Sequence, residues 1–136
     1  MQRSILVVED EPLIRMDIVS MLEDAGLLVV DFDNAEDALD FIQPNVGSIG
    51  GIFTDVNVRG VMTGIELASQ IMRIAPRMTI LMTSGGYIAR PDNLPITTGF
   101  VVKPWLPLEV IAAMRIAAND PDSAAAAHDL MTLKSL

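Results

Sequence analysis

The chain has 136 residues, a length that suits a single domain able to bury a core of its own. It has no cysteine, which excludes disulfide bonds and thiolate metal sites, and its formal net charge of -9 argues against binding nucleic acid through clustered basic residues. The N-terminal segment carries too few consecutive apolar residues for a signal peptide or a membrane span, so we expect a cytoplasmic protein without a membrane partner.

Two strands, each followed by a helix, are predicted at the start of the chain. The first strand covers 5–8, and the helix after it covers 12–25, with a proline at its first position and a glycine after its last. The second strand is predicted to begin at Leu27. The second helix follows Asn34, a favourable N-cap, and is expected to end before Pro44.

The third strand is predicted to be short and to end at Asp55. The stretch 47–51 before it is rich in glycine, so we expect a loop there. The remaining elements are a helix over 67–75, strands over 78–82 and 100–102, and a last helix that begins at Pro107.

The segment between the fourth and fifth strands carries two prolines, Pro91 and Pro95. A proline inside a helix removes a backbone hydrogen bond and collides with the preceding turn, so we expect a fourth helix from Tyr87 onward to be short or irregular. The alternating pattern otherwise predicts a doubly wound α/β domain, in which a parallel sheet is covered on both faces. We assign 3–119 to this domain and 120–136 to a C-terminal tail that is a short helix or disordered.

Polar side chains follow four of the predicted strands. They are Glu9 and Asp10 after the first, Asp55 after the third, Ser84 after the fourth and Lys103 after the fifth. In doubly wound folds the carboxyl ends of the strands form the ligand-binding crevice, so these side chains should converge. Three close carboxylates repel one another unless a divalent cation lies among them, and oxygen ligands suit Mg²⁺. Asp55 could then act as a nucleophile toward a phosphoryl group.

Four motifs in the expected order resemble those of the receiver domain of bacterial two-component response regulators, in the CheY-like single-domain form. The resemblance implies a flavodoxin-like strand order of 2-1-3-4-5 and a cis peptide bond before Pro104. The motifs are Ile5-Leu6-Val7-Val8-Glu9-Asp10-Glu11-Pro12, Phe53-Thr54-Asp55-Val56-Asn57, Leu81-Met82-Thr83-Ser84-Gly85 and Val101-Val102-Lys103-Pro104.

The resemblance also implies a role for each residue of the crevice. Asp55 is the implied phosphoacceptor, and Asp10 is implied to bind Mg²⁺ directly together with Asp55. Glu9 would assist through water, and Asn57 would offer its backbone carbonyl. The phosphoryl group would be held by Ser84 and Lys103.

A signalling switch rather than an enzyme is the implied function. Asp55 would accept a phosphoryl group from a histidine kinase or a phosphotransfer protein, and a downstream protein would bind the face made by the fourth helix, fifth strand and fifth helix. Two alternatives stay open. One is a Mg²⁺-dependent phosphohydrolase acting through an aspartyl phosphate, although its usual acid is replaced by Asn57. The other is an adaptor whose binding does not depend on phosphorylation.

Several positions depart from the family pattern. Arg59 stands where the family usually has proline, and the loop that leads on to Gly64 is one residue longer, so we expect altered access to Asp55. Phe100 occupies the switch position, often a tyrosine, and cannot form a hydrogen bond through a hydroxyl. Trp105 replaces the common phenylalanine. His128, the single histidine, is expected to be a solvated residue of the tail.

Overall fold

The computed structural model describes residues 2–85, 90–94 and 98–119 of the chain. Within them, the neighbouring strands pair in parallel in the spatial order 2-1-3-4-5, which confirms the predicted doubly wound α/β fold. The strands are β1 (Ser4–Val8), β2 (Val29–Phe32), β3 (Ile49–Asp55), β4 (Thr79–Ser84) and β5 (Gly99–Val102). The helices are α1 (Pro12–Asp24), α2 (Ala35–Asn45), α3 (Gly64–Ile74) and α4 (Pro107–Asn119), and a 3-10 turn covers Val46–Ser48.

Different pairs of helices cover the two faces of the sheet. Successive side chains of a strand point to opposite faces, so Ile52 of β3 packs with α2 and α3, whereas Phe53 packs with α1 and α4. The strand β1 is almost wholly buried from Ile5 to Val8, as expected for a strand covered on both sides. The helices contribute apolar residues at helical spacing, which include Ala35, Ala38, Ile42, Leu67 and Ile71 on one face and Ile18, Leu22, Val110, Met114 and Ala117 on the other.

The helix α4 packs directly against the start of β3. A Cβ atom on Gly50 would lie 2.1 Å from the backbone oxygen of Ala117, and one on Gly51 would lie 2.8 Å from the Cβ of Ala117. The predicted loop over 47–51 is therefore wrong in its second half, since β3 begins at Ile49. These glycines allow a helix to approach a strand closely and do not form a turn.

Other predicted boundaries are wrong by two or three residues, and one of them is the start of α3, which lies at Gly64 and not at Leu67. The strand β2 begins at Val29, because the N–H of Leu27 donates to the carbonyl oxygen of Leu22 at the end of α1. The helix α2 passes through Pro44 and ends at Asn45. A proline costs a helix one backbone hydrogen bond, and that loss is tolerated here because the helix ends one residue later.

Part of the segment predicted to hold a short or irregular fourth helix lies outside the described residues, namely 86–89 and 95–97. The described part, 90–94, contains no helix. The peptide bond between Lys103 and Pro104 is cis, as the family resemblance implied. The tail over 120–136, which includes His128, lies outside the described residues. None of the described helices combines the length and the apolar composition needed to cross a membrane.

Candidate functional site

The carboxyl ends of the central strands lie at one edge of the sheet and bring the predicted side chains together. Strand pairing aligns Val8 of β1 with Thr54 of β3, so Glu9 and Asp55 follow in register. The last residue of β4, Ser84, is aligned with Val102 of β5, the residue before Lys103. The sequence order of strands and helices therefore places four separate segments around one crevice.

Asp55 is the centre of this crevice. Its Oδ2 atom lies 2.7 Å from the Nζ atom of Lys103, and its Oδ1 atom accepts a hydrogen bond of 3.2 Å from the backbone N–H of Asn57. Asp55 is 8% exposed, whereas 30% of the Lys103 side chain is exposed. The carboxylate is thus held in a nearly buried position by a cation that solvent and ligands can still reach.

Glu9 lies on the other side of the same ammonium group, with its Oε1 atom 3.8 Å from Lys103 Nζ. Its Oε2 atom accepts a hydrogen bond of 3.1 Å from the N–H of Glu11. Burial is the main cause that raises the pKa of Glu9, and a side-chain hydrogen bond with Asp10 and the negative charge of Asp55 add to the increase. The hydrogen bond from the backbone N–H of Glu11 and the positive charge of Lys103 lower the pKa, but they do not offset the increase.

These carboxylates fit Mg²⁺ by chemical type. Carboxylate and carbonyl oxygens are the ligands this ion prefers. Within the described residues, however, no group of three acidic or histidine side chains is arranged closely enough to hold a metal. Asp10 is half-buried.

The two hydroxyl residues at the end of β4 occupy different positions. Thr83 is the register partner of Asp55, whereas Ser84 stands one residue further toward the crevice. The backbone N–H of Lys103 donates to the carbonyl oxygen of Ser84 at 3.5 Å, which ties the ends of β4 and β5 together. Ser84 is thus the last residue of β4 at the edge of the sheet where Asp55 and Lys103 meet, and its role toward a phosphoryl group stays a prediction.

The two aromatic residues singled out in the sequence lie on opposite faces of the sheet. Phe100 of β5 is aligned with Met82 of β4 and is partly buried in the cluster formed with α2 and α3. Trp105 packs on the other face, edge-on to Phe53, with ring centroids 5.3 Å apart. The role of Phe100 as a switch residue stays a prediction.

Sequence reasoning missed several residues that support the crevice. Arg15 of α1 donates to the carbonyl oxygen of Glu9 at 2.9 Å and pairs with Asp31 of β2 at 3.0 Å, so it fixes the backbone that carries the acidic residues. Glu36 of α2 accepts a hydrogen bond from the backbone of Met62, in the loop that follows Asp55. The contacts of Arg15 with Asp31 and of Glu36 with Met62 join residues 16 and 26 positions apart, and none of the three contacts leaves a periodic signal in the sequence.

Comparison with known proteins gives consistent matches. A family model, the response regulator receiver domain, matches residues 5–115. The response regulator receiver protein CpdR of Brucella abortus is 36% identical over 83 residues, which cover 61% of this chain and 67% of that protein. A response regulator receiver protein from Sinorhizobium medicae is 25% identical, with a TM-score of 0.73 and coverage of 88% of this chain and 97% of that one. A CheY-like receiver domain protein from Methanospirillum hungatei, 21% identical, has the same fold, with a TM-score of 0.74 over 93% of this chain and 98% of that one.

Proposed function

Because this chain belongs to the response regulator receiver domain family, we propose that it accepts a phosphoryl group on Asp55 from a histidine kinase or a histidine phosphotransfer protein. Receiver domains of this family act in phosphoacceptor signalling. The observation that carries the assignment to Asp55 is its contact of 2.7 Å with Lys103 at the carboxyl edge of the sheet. A nearly buried carboxylate next to a reachable cation is a suitable acceptor for an anionic phosphoryl group.

In the proposed reaction, a carboxylate oxygen of Asp55 forms a bond to phosphorus while the bond between phosphorus and the donor's histidine nitrogen breaks. The electron pair of the broken bond stays on the imidazole, and the product is a carboxyl–phosphate anhydride. Lys103 contacts the carboxylate before transfer and can bind a phosphoryl oxygen afterwards, since its side chain is partly exposed. Ser84, at the end of β4, would donate its hydroxyl hydrogen to another phosphoryl oxygen.

The proposed cofactor is Mg²⁺. When bound, the ion would neutralise charge on the phosphoryl oxygens and on the carboxylates. Asp10 and Asp55 would hold it directly, Glu9 through water and Asn57 through its backbone carbonyl. The all-oxygen set of ligands supports this part of the proposal.

An apolar recess beside the crevice supports docking of a protein phosphodonor. It has a volume of about 450 Å³ and is lined by Ile14, Pro104 and Trp105 together with Lys103. Leu106, which follows Trp105 in the chain, is 64% exposed. Apolar surface adjoining a reactive carboxylate suits a partner that must bring a phosphorylated side chain to Asp55.

The proposed output is a change in partner binding. Movement of Ser84 toward the new phosphoryl oxygens would let Phe100 repack, because β4 and β5 are paired at these positions. A downstream protein would then recognise the surface formed by β5, α4 and the segment between β4 and β5.

The proposal is tested by treating the protein with acetyl phosphate and Mg²⁺ and following its intact mass. We expect the mass of one phosphoryl group to be added, to be removed by hydroxylamine, and to map to the peptide that contains Asp55. Failure to label with either acetyl phosphate or a phosphorylated kinase would contradict the proposal, as would a label on another residue. Release of phosphate from a phosphate ester over many turnovers would favour the phosphohydrolase. Partner binding unchanged by phosphorylation would favour the adaptor.

Lys103→Met should slow the labelling of Asp55 by acetyl phosphate. Methionine keeps much of the apolar stem but removes the ammonium group, and a hydrogen bond between charged groups contributes about 1.5–3 kcal/mol, or about 10-fold to 100-fold in rate. The measurement is the rate of mass gain at saturating Mg²⁺. Arg73→Met removes an exposed cation from α3 and serves as the control. Equal rates for the two variants would show that Lys103 does not act on the phosphoryl group.

A further inference from the structure

The loop over 57–63, which we call the acceptor loop, is joined at both ends to the residues around Asp55. At its start, the N–H of Asn57 donates to Asp55 Oδ1 at 3.2 Å. Just after its end, the N–H of Gly64 donates to the carbonyl oxygen of Val56 at 2.8 Å. A Cβ atom on Gly64 would lie 2.1 Å from the backbone oxygen of Asp55. Any displacement of the acceptor loop would therefore move groups that touch Asp55.

The second half of the acceptor loop is hydrogen-bonded to a carboxylate from a different part of the chain. Glu36, in the first turn of α2, accepts a hydrogen bond at Oε1 from the backbone N–H of Met62. The hydrogen bond from Met62 is the main cause that lowers the pKa of Glu36, and the backbone N–H of Glu36 itself adds to it. A charged acceptor makes the bond from Met62 stronger than a neutral one would.

The conformation of Gly60 is fitted to the same carboxylate. Its φ angle of +102° is one that residues with a side chain rarely adopt. A Cβ atom at this position would also lie 2.7 Å from Glu36 Oε2. A side chain at position 60 would therefore be disfavoured by the positive φ angle and would displace the carboxylate of Glu36.

We propose that Glu36 is a positioning residue for the chemistry at Asp55, and that it acts by holding the acceptor loop, with the Asn57 backbone, beside the phosphoacceptor. The inference rests on the proposed function, in which the Asn57 carbonyl is a ligand of Mg²⁺. A group that orients a metal ligand affects metal affinity more than the chemical step at saturating metal. Loss of the Glu36 carboxylate should therefore act mainly on the Mg²⁺ requirement of labelling.

A second contact of the acceptor loop, with Asp33 just before α2, is expected to affect the Mg²⁺ requirement much less. Arg59 of the acceptor loop lies 3.5 Å from Asp33, but the two side chains are 66% and 41% exposed. Water and salt screen such exposed pairs, and they usually contribute little. Arg59→Ala is therefore a variant that alters the acceptor loop while leaving the hydrogen bond between Met62 and Glu36 intact.

The first experiment measures hydrogen exchange of the Met62 amide by NMR in the metal-free protein. Glu36→Ala should speed this exchange about 10-fold or more, as expected for the loss of a hydrogen bond to a charged acceptor. Glu36→Gln keeps an oxygen acceptor and should restore part of the protection. Asp40→Asn, which neutralises an exposed carboxylate one turn further along α2, should leave the exchange unchanged.

The second experiment measures Mg²⁺ binding by calorimetry and the Mg²⁺ dependence of labelling by acetyl phosphate. For Glu36→Ala we expect the Kd for Mg²⁺ and the half-saturating Mg²⁺ concentration to rise about 10-fold, with less than about a 2-fold change in rate at saturation. Glu36→Gln should fall between Glu36→Ala and the unsubstituted protein. Arg59→Ala and Asp40→Asn should behave as the unsubstituted protein does.

Gly60→Ala tests the same contact without removing Glu36. The added methyl group would displace the Glu36 carboxylate from the loop, so this variant should raise the half-saturating Mg²⁺ concentration as Glu36→Ala does. Combining Glu36→Ala with Gly60→Ala should add little to either change alone, because both break one contact. If Glu36→Ala does not fold, the same measurements on Gly60→Ala and Glu36→Gln test the proposal.

The outcomes separate the two proposals. Labelling of the unsubstituted protein on Asp55, together with Mg²⁺ affinity that is the same in Glu36→Ala and Asp40→Asn, would overturn the role of Glu36 and leave the phosphoacceptor assignment standing. A 10-fold fall in labelling at saturating Mg²⁺ with no change in Mg²⁺ affinity would also overturn it. No labelling of the unsubstituted protein would overturn the proposed function itself, and faster Met62 exchange would then describe only the stability of the loop.

Discussion

Asp55→Asn is expected to abolish phosphoryl uptake, both from acetyl phosphate and from a phosphorylated kinase. The amide lacks the charged oxygen that must attack phosphorus, and any product it formed would lack the stability of a carboxyl–phosphate anhydride. The substitution keeps the size of the side chain and an oxygen that can accept the hydrogen bond from Asn57. We therefore expect a folded protein in which labelling falls below detection by intact-mass measurement.

The matched control for this prediction is Asp40→Asn, which makes the same chemical change at an exposed position of α2. It should label at the rate of the unsubstituted protein. Substantial labelling of Asp55→Asn would assign the phosphoryl group to another residue. Since Asn57 occupies the position of the usual acid in aspartyl-phosphate phosphohydrolases, neither variant should release phosphate from a phosphate ester.

Gly50→Ala is expected to lower the free energy of unfolding by about 3 kcal/mol or more. The new methyl group would lie 2.1 Å from the backbone oxygen of Ala117 and 3.1 Å from the Cα of Ala118, so α4 must move away from β3. Replacing glycine with alanine also restricts the unfolded chain, which stabilises the fold by about 0.4–1 kcal/mol. That gain is too small to offset a collision with backbone atoms.

Gly47→Ala provides the control, because no atom lies within 4 Å of the position its Cβ would take. Its free energy of unfolding should stay within about 0.5 kcal/mol of the original value. Unfolding in urea, followed by circular dichroism, measures both variants. If Gly50→Ala and Gly47→Ala unfolded at the same urea concentration, close packing of α4 on β3 could not be what requires glycine at position 50.

The fold and the main contacts of the crevice were predictable because they depend on regular patterns. Short apolar runs that alternate with amphipathic segments define a parallel sheet, and in such a sheet the residues after each strand must meet at one edge. Asp55, Glu9 and Lys103 are brought together by that rule alone. The order of the strands needed the family resemblance, since periodicity does not determine which strands are neighbours.

The errors came from residues whose role depends on distant partners. Glycines at 50 and 51 have the composition of a loop, but they lie in β3 because α4, more than sixty residues later in the chain, packs on them. The contact of Glu36 with the acceptor loop is a hydrogen bond between its side chain and the backbone N–H of Met62, 26 positions away. The sequence cannot distinguish Glu36 from other acidic residues in the first turn of a helix. Such residues are common there because the N-terminal end of the helix dipole is positive.

The close packing of α4 on β3 also decides where a reporter group can be attached. The N–H of Arg3, just before β1, donates to the carbonyl oxygen of Ala118 at 2.8 Å, so α4 ends at the amino edge of the sheet, opposite Asp55. Asn119 is exposed at that end, and the chain has no cysteine of its own. A fluorescent dye on Asn119→Cys would thus be unique and would lie across the full length of the strands from the phosphoryl group. A change in its emission on phosphorylation would report an effect that reaches the opposite edge of the sheet.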